Sequence, residues 1–320
     1  MHFGALVPQG WKHDLDGLAP QDAFATMLAV GERCEALGLD SIWLYDHFHA
    51  VPSPAEPGTP VFECWTGMMA LAMRTHRVRL GQMVTCTPYR NPAYLAKIAA
   101  CVDVASGGRL EMGVGGGWYW EEYESYGYGF PEPRERLGHL RDTVNILDRM
   151  WRDERASYEG KFASIKDAIC DPKPLQDPRP PIWIGGGGEQ ITLRITAKHA
   201  DWANFMGDVD TFKRKRDIMR GYAEEMGRDP SQIKLSIHCE MLVAPTDTEL
   251  GALTQTYPSI FGRPEDERRT TNLIGTVQQV IDTIGAYRDL GCEAVIPWFP
   301  DYPDSGSLEL FATEIRAAFR

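Results

Sequence analysis

One pair of residues has the types needed for proton transfer. Asp46 and His47 follow the apolar run Ser41–Tyr45. A histidine changes charge near neutral pH and can give or take a proton, and an adjacent carboxylate can orient its ring or accept from a ring N–H of a cofactor. A single histidine without a second catalytic partner in the sequence is more often a hydrogen-bonded loop residue, so both interpretations stay open on these residues alone.

Four consecutive glycines, Gly185–Gly188, form the second feature. They follow the short apolar run Pro181–Ile184 and precede a helix predicted from Glu189. Glycines allow backbone amides to approach an anion closely, and the N-terminus of a helix adds a favourable dipole. A tight turn between strand and helix is the alternative, but it does not need four glycines. The pattern therefore favours an anionic ligand such as a phosphate without identifying it.

Composition excludes several other functions. There are 33 basic and 45 acidic side chains, a net charge of -12, so the chain lacks the basic footprint of nucleic-acid or anionic-membrane partners. No apolar run approaches the ~20 residues of a membrane helix. The 7 cysteines are dispersed, and neither C-x-x-C, H-E-x-x-H nor G-x-S-x-G occurs, so we predict no metal and no serine nucleophile. Reduced cysteines and the absence of a leader-like N-terminal pattern predict a cytoplasmic protein.

Eight strand-like runs alternate with helical patterns along the chain. Such alternation requires a parallel sheet with right-handed crossovers. Because no G-x-G-x-x-G follows the first run, we predict a closed α/β barrel, a (β/α)₈ TIM barrel with loop insertions, rather than an open sheet. The predicted strands are His2–Val7, Ser41–Tyr45, Val78–Thr85, Arg109–Val114, Pro181–Ile184, Ala203–Phe205, Lys234–Val243 and Glu293–Phe299.

The chain shows no break in composition, so residues 1–320 are predicted to form a single domain. The residues in excess of a bare barrel are assigned to insertions at 48–64, 118–133, 152–180 and 250–272. In a barrel the functional residues lie at the C-terminal ends of the strands. Trp11, Trp118 and Trp298 follow three of the strands there, and they predict a pocket for an apolar or aromatic molecule. Loop packing is the alternative for about half of the tryptophans.

The sequence resembles the luciferase-like monooxygenase superfamily, and most closely its branch of oxidoreductases that depend on the deazaflavin coenzyme F420. Four stretches in strand order carry the resemblance: GLDSIWLYDHF (38–48), LGQMVTCTPYRNPAYLAKIAACVDVASGGRLEMGVGGGWYWEEYESYG (80–127), PPIWIGGGGE (180–189) and IGTVQQVIDTIGAYRDLGCEAV (274–295). The second of these stretches, residues 80–127, is long and specific to the superfamily. The family fold is the barrel already predicted, with the cofactor ring across its C-terminal mouth.

The resemblance implies roles for individual positions. Asp46 and His47 match the pair that contacts the deazaflavin ring, and His47 becomes the candidate catalytic residue. Met83 stands where members carry a non-prolyl cis peptide behind the reactive face of the ring. Thr85 matches a threonine that hydrogen-bonds the polar edge of the ring, and Gly185–Gly188 matches the segment whose amides bind the cofactor phosphate.

The sequence also departs from one group of relatives. F420-dependent glucose-6-phosphate dehydrogenases carry a catalytic glutamate after the glycines of strand four, where this chain has Trp118, with Glu121 and Glu122 three and four residues later. We therefore do not expect oxidation of a sugar phosphate. By resemblance, Glu121 lies in the loop that lines the ribityl or ring region of the cofactor.

These observations predict an F420-dependent oxidoreductase that transfers a hydride between the deazaflavin and a small, apolar or aromatic substrate. One alternative is a two-component monooxygenase of the same superfamily that uses FMN. A second is a barrel that binds a flavin without catalysis. The resemblance also implies a homodimer formed through barrel helices.

Overall fold

The protein forms an α/β barrel, described here from a computed structural model that covers residues 1–52 and 54–320. Its strands, numbered in chain order, are β1 (His2–Leu6), β2 (Ser41–Leu44), β3 (Arg79–Gln82), β4 (Thr85–Cys86), β5 (Leu110–Gly115), β6 (Ala156–Glu159), β7 (Ser164–Ala168), β8 (Ile182–Gly185), β9 (Trp202–Phe205), β10 (Lys234–Ala244), β11 (Leu273–Thr276) and β12 (Cys292–Trp298). The helices are α1 (Pro20–Ala36), α2 (Cys64–Arg74), α3 (Pro92–Ser106), α4 (Trp120–Ser125), α5 (Pro133–Arg152), α6 (Thr192–His199), α7 (Val209–Glu225), α8 (Asp247–Thr256), α9 (Glu265–Thr271), α10 (Val277–Asp289) and α11 (Gly306–Leu310).

Eight parallel strands close the barrel in the order β1-β2-β3-β5-β8-β9-β10-β12. The ring closes where β12 pairs with β1, with Phe3 beside Val295. These are the eight strands predicted from the sequence, so the predicted fold class is confirmed. Because all eight run in the same direction, their C-terminal ends meet at one mouth, where a barrel enzyme has its site.

Local signals in the sequence explain the helix boundaries, as α3 shows. Its N-cap Asn91 accepts hydrogen bonds from the amides of Ala93 and Tyr94 at 2.9 and 3.2 Å, and Pro92 occupies the first turn. Gly107 ends the helix in the left-handed conformation with φ 71°. The helix is thereby fixed between β4 and β5.

The interior of the barrel is filled by aromatic and paired charged side chains. Trp43 and Trp183 are fully buried and meet edge to face at 4.7 Å. The Trp183 indole N–H donates to Glu111 at 2.5 Å, and Glu111 also pairs with Arg79. A Cβ at Gly81 would overlap the Trp43 ring, so this glycine makes room for it. The barrel is thus a packed core, and a ligand has access only at its ends.

The third predicted strand is interrupted in the structure. It consists of β3, a non-prolyl cis peptide between Met83 and Val84, and β4, which continues the pairing along β5. The cis peptide lies at the position that the resemblance implied. The Val84 side chain fills space left by glycines on two neighbouring strands, Gly113, Gly115 and Gly185. The Val84 side chain thus packs against β5 and β8.

Several elements within the predicted insertions were not expected. The hairpin β6–β7 lies within 152–180, α4 within 118–133, and most of α8 and all of α9 within 250–272, while α2 and β11 had no prediction. The helix predicted from Glu189 begins at Thr192 instead, because the chain after Gly188 first makes a turn that bonds the Leu193 amide to the Gly188 carbonyl. Over the described parts of the chain, no helix is long and apolar enough to cross a membrane.

Candidate active site at the barrel mouth

His47 lies at the C-terminal end of β2, between aromatic rings. Its ring stacks on Trp11 at 3.9 Å with an interplanar angle of 4°. Trp118 approaches the same imidazole edge-on at 6.0 Å, and the Trp118 side chain is 57% exposed. Two of the three predicted pocket tryptophans therefore contact the predicted catalytic histidine.

Glu122 is the hydrogen-bond partner that holds His47, and it was not predicted as a site residue. Its carboxylate is fully buried and lies 2.8 Å from Nδ1 of His47. The same carboxylate accepts from the Tyr89 hydroxyl at 3.0 Å and from the Phe48 amide at 2.6 Å. Since a carboxylate accepts, Nδ1 of His47 donates to it, which leaves Nε2 available for proton exchange. In the sequence, the only indication of a role for Glu122 was its position next to Glu121.

Asp46 has a different set of partners from those expected. It is buried and makes a bidentate ion pair with Arg90 at 2.5 and 2.9 Å, and it also accepts from the Cys86 amide at 2.8 Å. Burial opposes the charge of Arg90, but Asp46, Cys64 and Glu63 together outweigh it and raise the pKa of Arg90. The interpretation that Asp46 orients His47 was wrong, because Glu122 does so. A contact of Asp46 with a cofactor stays a prediction.

Asp46 also belongs to a compact group with Glu63 and Cys64, whose ligand atoms lie within 4.8 Å of one another. Arg90 bonds both carboxylates of this group, reaching Glu63 at 2.6 Å. A guanidinium already supplies the positive charge at this position, so the group is an ion-pair network that joins β2 to the start of α2.

Thr85 lies at the mouth in β4, next to Val84, and its side chain is fully buried. Its hydroxyl has no hydrogen-bond partner among the described residues, and neither have the polar atoms of the Gln82 side chain. Buried polar groups are nearly always hydrogen-bonded, so an unpaired hydroxyl at the barrel mouth indicates a position where a ligand would supply the partner. This observation fits the implied role of Thr85 on the polar edge of a cofactor ring. Met83 is also buried there.

The glycine segment Gly185–Gly188 leads from β8 toward α6. Gly186 has φ +125°, and a Cβ at Gly187 would lie 2.5 Å from Nζ of Lys215. Lys215 donates to the Gly187 carbonyl at 2.5 Å, which brings a positive charge to the loop that was not predicted. The N-cap residue of α6, Ile191, offers no side-chain acceptor to the first amides of the helix. Glycines, a lysine and an uncapped helix start together suit a phosphate.

Glu121 and Trp298 each bond a residue of a loop that follows a barrel strand. The Glu121 carboxylate accepts from the Ala55 amide at 3.2 Å and from the Tyr119 hydroxyl at 2.9 Å, so it binds the loop after β2. Trp298 is buried at the end of β12, and its indole N–H donates to Asp14 at 3.0 Å. Contact of either residue with a ligand stays a prediction.

Comparison with known proteins identifies relatives by sequence. An F420-dependent glucose-6-phosphate dehydrogenase of Amycolatopsis mediterranei is 32% identical over 197 residues, which cover 61% of this chain and 55% of that protein. The match thus spans little more than half of the relative's length.

Solved structures share the whole fold at lower identity. An F420-dependent secondary alcohol dehydrogenase in complex with an F420–acetone adduct has a TM-score of 0.82 at 21% identity, covering 100% of this chain and 99% of that one. The oxygenating constituent of 3,6-diketocamphane monooxygenase of Pseudomonas putida, in complex with FMN, has a TM-score of 0.78 at 19% identity, covering 98% of each chain. Residues 1–294 match the family described as luciferase-like monooxygenase. The chain therefore belongs to the luciferase-like monooxygenase family.

Proposed function

We propose that this protein is an F420-dependent oxidoreductase that transfers a hydride between the deazaflavin and a small, apolar or aromatic substrate. The observation that carries the proposal is the His47–Glu122 pair next to the Trp11 ring, because it would leave Nε2 of His47 to exchange a proton at the barrel mouth. The dehydrogenase relative described above, named for its dependence on F420, supports the choice of cofactor.

The cofactor would be held by residues that the structure brings to one side of the mouth. The amides of Gly185–Gly188 and the Lys215 ammonium would bind its phosphate. Thr85 would donate to or accept from the polar edge of its ring, and Met83 and Val84 would lie behind the ring. When bound, F420 supplies the hydride-transfer chemistry.

The chain itself would position the substrate and move the accompanying proton. Nε2 of His47 takes or gives this proton, since Nδ1 is committed to Glu122. Trp11 packs flat against the imidazole and excludes water from that face. The pocket walls formed with Trp118 and Trp298 are aromatic, which favours an apolar substrate over a sugar phosphate.

We further propose that the protein works in the cytoplasm as a homodimer. Support for the compartment comes from the cysteines: all 7 are free and 6 of them are buried, as expected where thiols stay reduced. The homodimer follows from the family resemblance.

Titration of the cofactor-free protein with F420 and, separately, with FMN tests the proposal, with binding followed by fluorescence. We expect saturable binding of F420 and weak binding of FMN. Preference for FMN would assign the protein to the FMN-dependent monooxygenases, and binding of neither would contradict both.

The variant His47→Ala separates catalysis from binding. We expect turnover to fall by about 10²-fold or more while the affinity for F420 changes little. His76→Ala, at an exposed position just after α2, is the matched control. Equal loss of turnover and of F420 affinity would make His47 a binding residue only.

A further inference from the structure

Lys12, in the loop after β1, has an unusual environment. Its Nζ lies 4.2 Å from the centroid of the Trp298 ring, 4.7 Å from that of Tyr45 and 5.3 Å from that of Trp11. Its one hydrogen bond to the described part of the chain is to the Tyr45 hydroxyl, at 2.9 Å. An ammonium has three N–H donors, so this bond leaves two of them without a hydrogen-bond partner among the described residues.

The hydrogen bond to Tyr45 belongs to a series of hydrogen bonds in which the donor and the acceptor of each bond can be assigned. Nδ1 of His238 donates to the carbonyl of Ile296 at 2.9 Å, so Nε2 of His238 is an acceptor. The Tyr45 hydroxyl donates to that nitrogen at 3.1 Å and therefore accepts from Lys12. Burial, with a contribution from the Lys12 charge, lowers the pKa of His238 to about 3, which keeps the imidazole neutral.

The acidic groups that face Lys12 have other partners. Asp14 accepts from the amides of Gln9 and Gly10 and from Trp298, and Glu240 pairs with Arg268. The ionisable groups around Nζ are Asp14, Tyr45, His238, Cys239 and Glu240. Burial lowers the pKa of Lys12 to about 8, although the charges of Glu240 and Asp14 oppose this shift. The ammonium is the main form at neutral pH, and its free donors are not used by a carboxylate.

We propose that Lys12 is a catalytic residue that binds the oxygen atom of an aromatic alcohol or ketone, an inference that rests on the proposed hydride transfer. The three rings would contact the carbon skeleton, and the two remaining N–H groups of Lys12 would donate to its oxygen. Trp11 contacts both Lys12 and His47, so the two side chains lie next to the same ring.

The reaction balances with these groups. In ketone reduction, the carbonyl carbon receives a hydride from the reduced deazaflavin, and the carbon–oxygen π pair moves to the oxygen. His47 then gives that oxygen a proton, so C=O becomes CH–OH and the deazaflavin is oxidised. Lys12 keeps its own proton and stabilises the negative charge that develops on the oxygen. Alcohol oxidation is the reverse.

The test uses the cofactor-free protein and two probes of similar shape, acetophenone and ethylbenzene, with binding followed by tryptophan fluorescence. We expect Lys12→Met to bind acetophenone about tenfold or more weakly, because a hydrogen bond from a charged donor is lost. Ethylbenzene, which has no oxygen, should bind both proteins equally. Lys213→Met, an exposed lysine of α7, is the control and should behave as the wild type.

The pH dependence gives a second readout. Acetophenone binding should weaken as the pH rises above about 8, where Lys12 loses its proton. Lys12→Arg keeps its charge in this range, so any binding that it retains should not weaken there. Equal binding of acetophenone by the wild type and Lys12→Met, or no saturable binding by the wild type, overturns the proposal. An F420 titration of the same variants reports on the proposed function separately, since no cofactor is present in the probe experiment.

Discussion

At the scale of single residues, the tautomer of His47 depends on Glu122. The buried carboxylate of Glu122 accepts four hydrogen bonds, from Nδ1 of His47, the Tyr89 hydroxyl and the amides of Phe48 and His49. All four partners are donors, which suits an acceptor-only group. This arrangement keeps the proton of a neutral His47 on Nδ1 and the lone pair on Nε2.

The variant Glu122→Gln tests this dependence. If the new amide nitrogen faces His47, it donates to Nδ1, and the proton of the imidazole moves to Nε2. If the amide nitrogen faces Phe48 instead, it meets the backbone N–H of Phe48, so that two donors face each other. We therefore expect kcat to fall by about 10²-fold with a small change in F420 affinity. Steady-state kinetics and the cofactor titration measure both quantities. Glu124→Gln, on the exposed side of the same helix, is the control, and similar kinetics of the two variants would contradict the assignment.

The sequence predicts well which residues lie at the mouth of the barrel. It predicts less well which of these residues contact one another. His47, Trp11 and Trp118 each follow a predicted strand, so their convergence follows from the barrel alone. The contacts made by Glu122 and Lys215 depend on how α4 and α7 pack, and neither helix position is encoded by strand order. Resemblance located the cis peptide after Met83, which no local pattern of residues predicts.

At the scale of elements, Arg90 connects segments at the mouth of the barrel through ion pairs. It lies between a short 3₁₀ turn, Thr87–Tyr89, and the N-cap of α3, and its guanidinium bonds Asp46 after β2 and Glu63 at the N-cap of α2. The Asp46 carboxylate in turn bonds the amide of Cys86 in β4. One cation thus joins both ends of the loop between β2 and α2, which carries His47, to the segment that follows Thr85.

Replacing Arg90 should therefore destabilise the whole protein. Arg90→Met leaves the Asp46 carboxylate buried without its counter-charge, a change that costs about 3–5 kcal/mol in comparable buried pairs. Arg269→Met removes an exposed pair with Glu265, and we expect it to change the free energy of unfolding by about 0.5 kcal/mol or less. Urea unfolding followed by circular dichroism measures both, and equal midpoints would contradict the role of Arg90.

The sequence predicted the strands of the barrel well, but it predicted poorly the strands and helices of the insertions. Every barrel strand was found because each is a short apolar run between turn residues. The hairpin β6–β7 was missed, since its residues are mostly exposed and lack a clear alternation. The local pattern of Gln82–Thr85 is that of a continuous strand, so only the resemblance indicated the cis peptide between β3 and β4. The glycines on β5 and β8 leave room for Val84 there.

At the scale of the whole molecule, closing the barrel buries histidines that are not part of the proposed catalytic pair. His238 lies inside the mouth, His2 lies at the opposite end of the barrel in β1, and His199 ends α6. Burial lowers the pKa of His238 to about 3 and the pKa values of His2 and His199 to about 4. Local sequence does not reveal this burial, because it arises only when β12 pairs with β1 and the helices cover the barrel.

These histidines should make the protein sensitive to mild acid. An unfolded histidine takes up a proton near pH 6.5, whereas the folded chain keeps these three neutral to about pH 4, so between these values the unfolded state binds more protons. The free energy of unfolding should therefore fall with decreasing pH, by about 1.4 kcal/mol per pH unit for each histidine. Urea midpoints at pH 7 and pH 5 measure the loss. His199→Gln should reduce the pH dependence, with the exposed His76→Gln as control, and a dependence identical to that of the wild type would show that His199 does not contribute.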